Sequence, residues 1–315
     1  MNIISIGEVL WDVVGPDEHL GGAPFNFAAH LARLGHHVSF VSAVGMDERG
    51  QRIVDAMPRM GLSTRYVRRL AEHPTGVVTV SLDSAGHPDY LIHRPAAYDF
   101  PRMSEEDLAE LFSHPVDWIY FGTLLQTSPE AKRLTMRLLE AGEGRRRFYD
   151  VNLRAGCWEP SLVRELMAKA TMVKLNADEA AEVASMFGQP LKSPLQSWEK
   201  FCRACAARFG WEGVCITRGA DGCALLLGDE YIEASGYAVH VLDTVGAGDA
   251  FAAAFVHGVG SGWSSARVAD FANRVGALVA SRAGAVPSWT VAEVETLQQG
   301  SNCRSDPQSQ HRETA

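Results

Sequence analysis

Leu242-Asp243-Thr244-Val245-Gly246-Ala247-Gly248-Asp249-Ala250-Phe251 joins two apolar runs of different period. The run before it, residues 237–241, alternates and predicts a strand; the run after it, residues 250–259, predicts a helix. Between them stand two glycines and two carboxylates. Glycine lets the backbone turn tightly and come close to a ligand. A helix starting here directs its unpaired amides and the positive end of its dipole at whatever lies in front. That suits a phosphate or another developing anion. Asp249 falls in the first turn, where a carboxylate beside an anion site can take a proton from an attacking hydroxyl. A plainer account has Asp243 capping the helix, the glycines making the turn and Asp249 favouring the first turn. It covers each residue singly but leaves two glycines and a second aspartate unexplained.

Outward from this stretch the chain alternates between strands and helices. Strands are predicted at residues 2–7, 38–44, 117–121, 147–151, 171–175 and 214–217. Helices are predicted at residues 25–34, 47–60, 104–112, 129–141, 162–170, 178–187, 194–209 and 268–281. Such alternation implies a mainly parallel sheet covered on both faces, with ligands at the carboxyl ends of its strands. Asn152 and Arg154 follow one strand, Asn176 and Glu179 another, and Thr217, Gly219 and Gly222 a third. One segment breaks the alternation. Residues 75–83 and 89–94 are extended runs joined by the turn Asp83-Ser84-Ala85-Gly86, a β-hairpin set apart from the main sheet. The expectation is one α/β domain over residues 1–298, with a small β lid drawn from residues 9–20 and 75–99 and a disordered tail at 299–315.

Composition sets the outer bounds. The chain has 315 residues, 46% hydrophobic and 21% charged, with a net charge of -9. Those figures suit a large globular core and offer no basic patch for nucleic acid. No apolar run reaches membrane-spanning length, and the start Met1-Asn2-Ile3-Ile4-Ser5 lacks a signal peptide's basic flank; a cytoplasmic location is the expectation. Cys202 and Cys205 form a Cys-x-x-Cys inside a helical apolar stripe with no second pair, which reads as core. Gly-x-Gly-x-x-Gly is missing after the first strand, where Glu8 and Asp12 stand instead, and no P-loop motif occurs.

Asp-Thr-Val-Gly-Ala-Gly-Asp, residues 243–249, closely resembles the C-terminal signature of the ribokinase-like carbohydrate kinases of the PfkB family. Gly21-Gly22-Ala23-Pro24-Phe25-Asn26 resembles the family's N-terminal glycine motif, which lies against the sugar. Arg94-Pro95-Ala96-Ala97-Tyr98-Asp99 and Asp150-Val151-Asn152-Leu153-Arg154 are most similar to fructokinase-type members, the latter also to ketodeoxygluconate kinases. The resemblance implies a ribokinase-like fold and ATP-dependent phosphorylation of a small sugar, fructose first and 2-keto-3-deoxygluconate second. Asp249 would be the catalytic base, with Gly246, Ala247 and Gly248 as the anion hole. Asp12, Gly22, Asn26, Arg94, Asn152 and Arg154 would line the sugar. Lys174, Asn176, Thr217, Gly219, Gly222 and Asn273 would line the nucleotide. Glu179 would act through water on Mg²⁺, and Asp243 and Ser288 would serve a monovalent cation such as K⁺.

The bland readings stand beside these. Asn176 and Glu179 fit a helix capping box, in which glutamine would serve as well as glutamate. Arg94 fits a solvated edge charge, Arg154 a surface ion pair, and the stretch from Thr217 to Gly222 a plain hairpin turn. The hairpin at 75–94 is either a lid over the sugar or, as in relatives, a contact for a homodimer. Two other classes are weighed as well. The missing dinucleotide fingerprint disfavours a nicotinamide oxidoreductase, and the intact Asp249 with its glycines disfavours a sugar-binding regulator without catalysis.

Overall fold

Ile3, Ile4 and Ile6 make the first strand, β1 (Asn2–Ile6), buried on both faces, as a parallel strand covered by helices must be. The computed structural model describes residues 1–82, 88–187 and 197–298. The hairpin turn at 83–86, the beginning of the helix expected at 194–209 and the tail at 299–315 lie outside the described residues.

After β1 come β2 (Leu10–Val14), β3 (Asp17–Gly21), α1 (Ala23–Arg33), β4 (His37–Gly45), α2 (Glu48–Ala56), β5 (Val67–Leu70), β6 (Gly76–Leu82) and β7 (Pro88–His93). The middle of the chain supplies α3 (Glu105–Leu111), β8 (Trp118–Gly122), α4 (Pro129–Ala141), β9 (Arg146–Asp150), α5 (Pro160–Lys169), β10 (Met172–Asn176) and α6 (Ala177–Met186). The last third supplies α7 (Trp198–Phe209), β11 (Gly213–Thr217), β12 (Cys223–Leu227), β13 (Glu230–Ala234), α8 (Ala247–Gly260), α9 (Ser265–Ala280) and α10 (Val291–Thr296).

Nine strands form the main sheet in the order β13-β12-β11-β10-β9-β8-β1-β4-β5. From β11 to β5 every pairing is parallel, and β12 and β13 add an antiparallel edge. One face is covered by α1, α8 and α9, whose Phe27, Phe255 and Val275 pack with Phe148 of the sheet. The other carries α4 to α7, with Leu138, Val163, Val183, Cys202 and Cys205 in a second core. The two α7 thiols are buried and pushed up to about 12 by that burial, as the core reading of the Cys-x-x-Cys expects. Strand order reverses between β1 and β8. The crevice at the carboxyl ends of these two strands is where such a sheet takes its ligand.

The stretches 9–20 and 75–99 do meet. β3, β2, β6 and β7 form a second, four-stranded sheet in which β2 runs parallel to β6, with Asp12 opposite Val78. The expected strand at 237–241 is a correction. The strand before the glycine turn is β13, and residues 235–241 join no sheet. Val241 and Leu242 are exposed, and the amides of Leu242 and Asp243 both donate to Ala280 O at the end of α9. An alternating pattern arises wherever a segment lays every second side chain against a core, with or without a strand partner.

Candidate active site

α8 begins at Ala247 with Gly246 as its N-cap, and no side chain caps it. Gly246 has φ +77°, and a β-carbon there would sit 2.3 Å from Ala285 O, so only glycine fits. Asp243 does not cap the helix. Its Oδ1 accepts from Val245 N at 2.9 Å and its Oδ2 from Gly284 N at 3.0 Å, which ties the turn to the loop after α9. The first amides of α8 therefore face the cleft without side-chain partners. Gly248 differs from Gly246. Its β-carbon would meet nothing nearer than Lys174 Nζ at 3.7 Å, an ordinary contact, so nothing in the chain itself calls for glycine there.

Asp249 sits in the first turn of α8. Asn26 of α1 donates from Nδ2 to Asp249 Oδ2 at 2.9 Å, so the two glycine motifs converge on one hydrogen bond. Burial, and then the nearby Asp150 carboxylate, push Asp249 up to about 6, against the pull of Asn26, Lys174 and Arg154. Asp150 is fully buried at the end of β9. It accepts from Lys174 Nζ at 2.9 and 3.1 Å and from Tyr120 OH at 3.2 Å. Burial opposes the Lys174 charge, but Asp150, Glu179 and Asp249 outweigh it and hold the ammonium more firmly protonated than usual. A buried cation thus lies directly behind the uncapped turn.

On the β2 side, Gly22 has φ +111° and a β-carbon there would lie 2.5 Å from Glu8 O, so the entry to α1 presses on the end of β1. Burial raises Asp12 to about 6, with Arg154 and His19 lowering it and Asp243 raising it. Asn152 carries φ +37°, the one non-glycine residue at positive φ among the described residues; such strain gathers at functional sites. The Arg154 side chain is exposed and has no hydrogen-bond or ion-pair partner among the described residues. Arg94 is placed differently from expectation. Its Nε and Nη2 grip Asp99, the former at 3.1 Å, and its Nη1 serves Leu124 O at 3.2 Å and Thr127 Oγ1. Its donors are engaged in fastening the foot of the small sheet.

The residues expected at the nucleotide gather at neighbouring strand ends. Asn176 and Thr217 pair in register across β10 and β11. Gly219 is exposed on the next turn, while Gly222 is buried against Ala234 O and Gly236 N. Asn273 of α9 donates to Ser235 O at 3.1 Å and so fixes that crossing. The capping box is present: Glu179 N donates to Asn176 Oδ1 and Asn176 N to Glu179 Oε2, both at 2.8 Å. Glu179 Oε1 also accepts from Leu153 N at 2.9 Å. Both oxygens are needed, so glutamine cannot serve here as it would in an ordinary box. Near Asp243 the carbonyls of Pro287 and Ser288 accept Arg33 and Arg282. Among the described residues no three His, Cys, Asp or Glu side chains gather to hold a metal ion.

The model of the pfkB family carbohydrate kinases matches residues 4–292. The chain belongs to the PfkB family. Among the relatives of this carbohydrate kinase, a sugar kinase of Pyrococcus horikoshii is 28% identical over 94% of each chain. Its crystal structure in complex with ATP, 27% identical, superposes with a TM-score of 0.76 over 90% of this chain and 94% of that one. The aminoimidazole riboside kinase of Salmonella typhimurium is 28% identical over 84% of this chain and 83% of its own. Fructokinase-2 of Oryza sativa subsp. japonica is 26% identical over 94% and 93%. The solved neighbours share the ribokinase-like fold expected from the motifs.

Sequence reasoning gave no role to Glu8. It is 5% exposed, its Oε2 has no partner, and burial pushes it up to about 7. The one signal available was a carboxylate directly after an apolar strand, where a nucleotide fold would carry glycine. No helix among the described residues is long and apolar enough to cross a membrane.

Proposed function

We propose that this carbohydrate kinase transfers the γ-phosphoryl group of ATP to a hydroxyl of a small sugar, with fructose the first candidate and 2-keto-3-deoxygluconate the second. The observation that carries the reading is the Asn26–Asp249 hydrogen bond at the mouth of an uncapped helix N-terminus. Asp249, raised to about 6, is mostly ionised at neutral pH yet basic enough to accept a proton from a hydroxyl, the balance a general base needs. The amides of Gly246, Ala247 and Gly248 receive the charge on the transferring group. Lys174 adds a positive charge behind them without leaving its pair with Asp150. Asp12, Asn26, Asn152 and Arg154 offer acceptors and donors for the sugar, and Asn176, Thr217 and Gly219 line the nucleotide side.

Mg²⁺ bound with the nucleotide supplies charge neutralisation there. A Mg²⁺ held by phosphates and water needs few ligands from the protein. Glu179, whose oxygens already accept two amides, would touch that shell only through water. A monovalent cation at Asp243 would share its loop with Arg33 and Arg282, and no step is assigned to it. The Asp-x-Asn-x-Arg stretch and the 94–99 segment favour fructose. A coupled ADP-release assay over a sugar panel tests the proposal: sugar-dependent turnover is expected with fructose among the best acceptors, and no turnover with any sugar would end it.

A further inference from the structure

Buried polar side-chain atoms without partners are rare in folded proteins and ask for an explanation. Among the described residues seven such atoms occur, and five belong to Glu8, Asn26, Tyr98 and Gln126. Asn26 touches Asp249. The other three are connected with Arg94. Tyr98 lies with its ring centroid 5.9 Å from the Arg94 guanidinium. Gln126 belongs to the 3₁₀ turn Leu124–Thr127, whose Leu124 O and Thr127 Oγ1 hold that guanidinium. Glu8 is within electrostatic reach of Arg94, Arg154 and Asp249, and Tyr98 within reach of Glu8. All three are 2% exposed or less, or in the case of Glu8 5%.

We propose that Glu8 and Tyr98, with Gln126 beside them, form a recognition subsite for the end of the acceptor remote from Asp249, and that Glu8 restricts this subsite to uncharged polyols. The inference rests on the kinase reading above and adds the class of acceptor. Several donors and acceptors without partners match a chain of hydroxyl groups, each of which both donates and accepts. The charge balance decides against a sugar acid. Arg94 lies beside Tyr98 and against the turn that carries Gln126, and its charge is matched by Asp99, 2% exposed and bound through two guanidinium nitrogens. Lys174 is likewise matched by Asp150, so among the described residues Arg154 is the cation without an ion pair within electrostatic reach of Glu8, Asp12 and Asp249. A substrate carboxylate would meet net negative charge in a water-poor setting, where like charges at contact separations lower binding by roughly a hundredfold.

The test compares neutral ketoses and polyols with 2-keto-3-deoxy sugar acids at pH 8, above the value of about 7 to which burial raises Glu8. Acceptors are compared by kcat/KM, and acids that do not turn over by their inhibition constants. The wild type is expected to favour its best neutral acceptor over any acid by roughly a hundredfold. Glu8→Gln keeps the shape and removes the charge; it should narrow that preference by about tenfold or more while leaving KM for ATP unchanged. Tyr98→Phe, which removes one hydroxyl, should raise KM for the neutral acceptor severalfold with KM for ATP and the melting temperature unchanged. A wild type that phosphorylates a sugar acid as well as its best neutral sugar overturns the inference, and so does an unchanged preference in Glu8→Gln. Either result leaves the kinase reading standing. Absence of ADP release with every acceptor is a different outcome, and it removes both.

Discussion

Replacing Asn26 by alanine tests the bridge between the two glycine motifs. The Asn26 amide donates to Asp249 Oδ2 at 2.9 Å, while burial and Asp150 push Asp249 up to about 6. A donated hydrogen bond favours the ionised carboxylate, so its loss raises Asp249 further. A hydrogen bond to a charged group contributes roughly 1.5–3 kcal/mol, or about one to two pH units at 1.36 kcal/mol per unit. The lower end applies, because Asp249 keeps some solvent contact and water takes part of the amide's place. Moving Asp249 from about 6 to about 7 takes it at pH 6 from about half ionised to about a tenth, a roughly fivefold loss of proton acceptor. At pH 8 the ionised fractions should differ by only about a tenth, so any larger difference there measures the contact of Asn26 with the sugar. The assay is kcat/KM for the best acceptor from about pH 5 to 9 at saturating ATP, with both proteins in parallel so that ionisation of ATP cancels. The acid limb of the variant should lie about one unit higher, with a constant ratio between the two curves above about pH 8. A loss by the same factor at every pH would refute the coupling and leave Asn26 acting on the substrate alone.

Asp249→Asn should lower kcat by ~10²–10⁴-fold with little change in sugar KM; a variant keeping more than about a tenth of the wild-type rate removes Asp249 from the role of base. Gly246→Ala should lower the melting temperature sharply, since its β-carbon would meet Ala285 O at 2.3 Å at positive φ. Gly248→Ala should leave stability equal or higher by up to about 1 kcal/mol and still cut kcat/KM, because only the ligand needs that close approach; full activity would deny Gly248 a place in the anion hole. Glu179→Gln should destabilise by roughly 1–3 kcal/mol, since the carboxylate serves both Asn176 N and Leu153 N, and an unchanged melting temperature argues that one of those contacts is absent in solution. Arg154→Ala should raise sugar KM at constant stability, whereas Arg94→Ala strands the buried Asp99 and should cost about 3 kcal/mol or more; the reverse pattern in thermal melts and sugar KM would exchange the two roles.

Elements with punctuation at both ends were legible in the sequence. The helix expected at 129–141 has those bounds in the structure, because Ser128 caps it, Pro129 suits its first position and Gly142 follows it. Six parallel strands of the main sheet, β1, β4, β8, β9, β10 and β11, were legible as short apolar runs between helices. β2, β3, β5, β12 and β13 passed unseen as strands; β2 and β3 carry Asp12, Asp17 and Glu18, and β5 carries Arg68 and Arg69, which interrupt the apolar runs. The hairpin around residue 83 was visible from its turn residues, but its parallel pairing with β2 joins segments more than sixty residues apart. No local pattern encodes such a pairing.

The same limit governs the site. Asp249 and its glycines stood out in one contiguous stretch, while the partner that tunes Asp249 lies 223 residues away in α1. Arg94 and Asp99 were both in view, five residues apart, but their pairing depends on how the chain turns between them. The stretch from Asp150 to Arg154 shows what sequence similarity alone left unresolved. Asp150 points inward to Lys174 and Tyr120. Leu153 gives its amide to Glu179, and Asn152 between them is held at positive φ. A loop pinned at both ends tolerates that strained residue, because the surrounding contacts over-determine it. Arg154, next along, has a side chain without partners among the described residues. Two residues therefore hold the loop and two others are left out of that task, and an Asp-x-Asn-x-Arg motif carries both kinds in one string of letters.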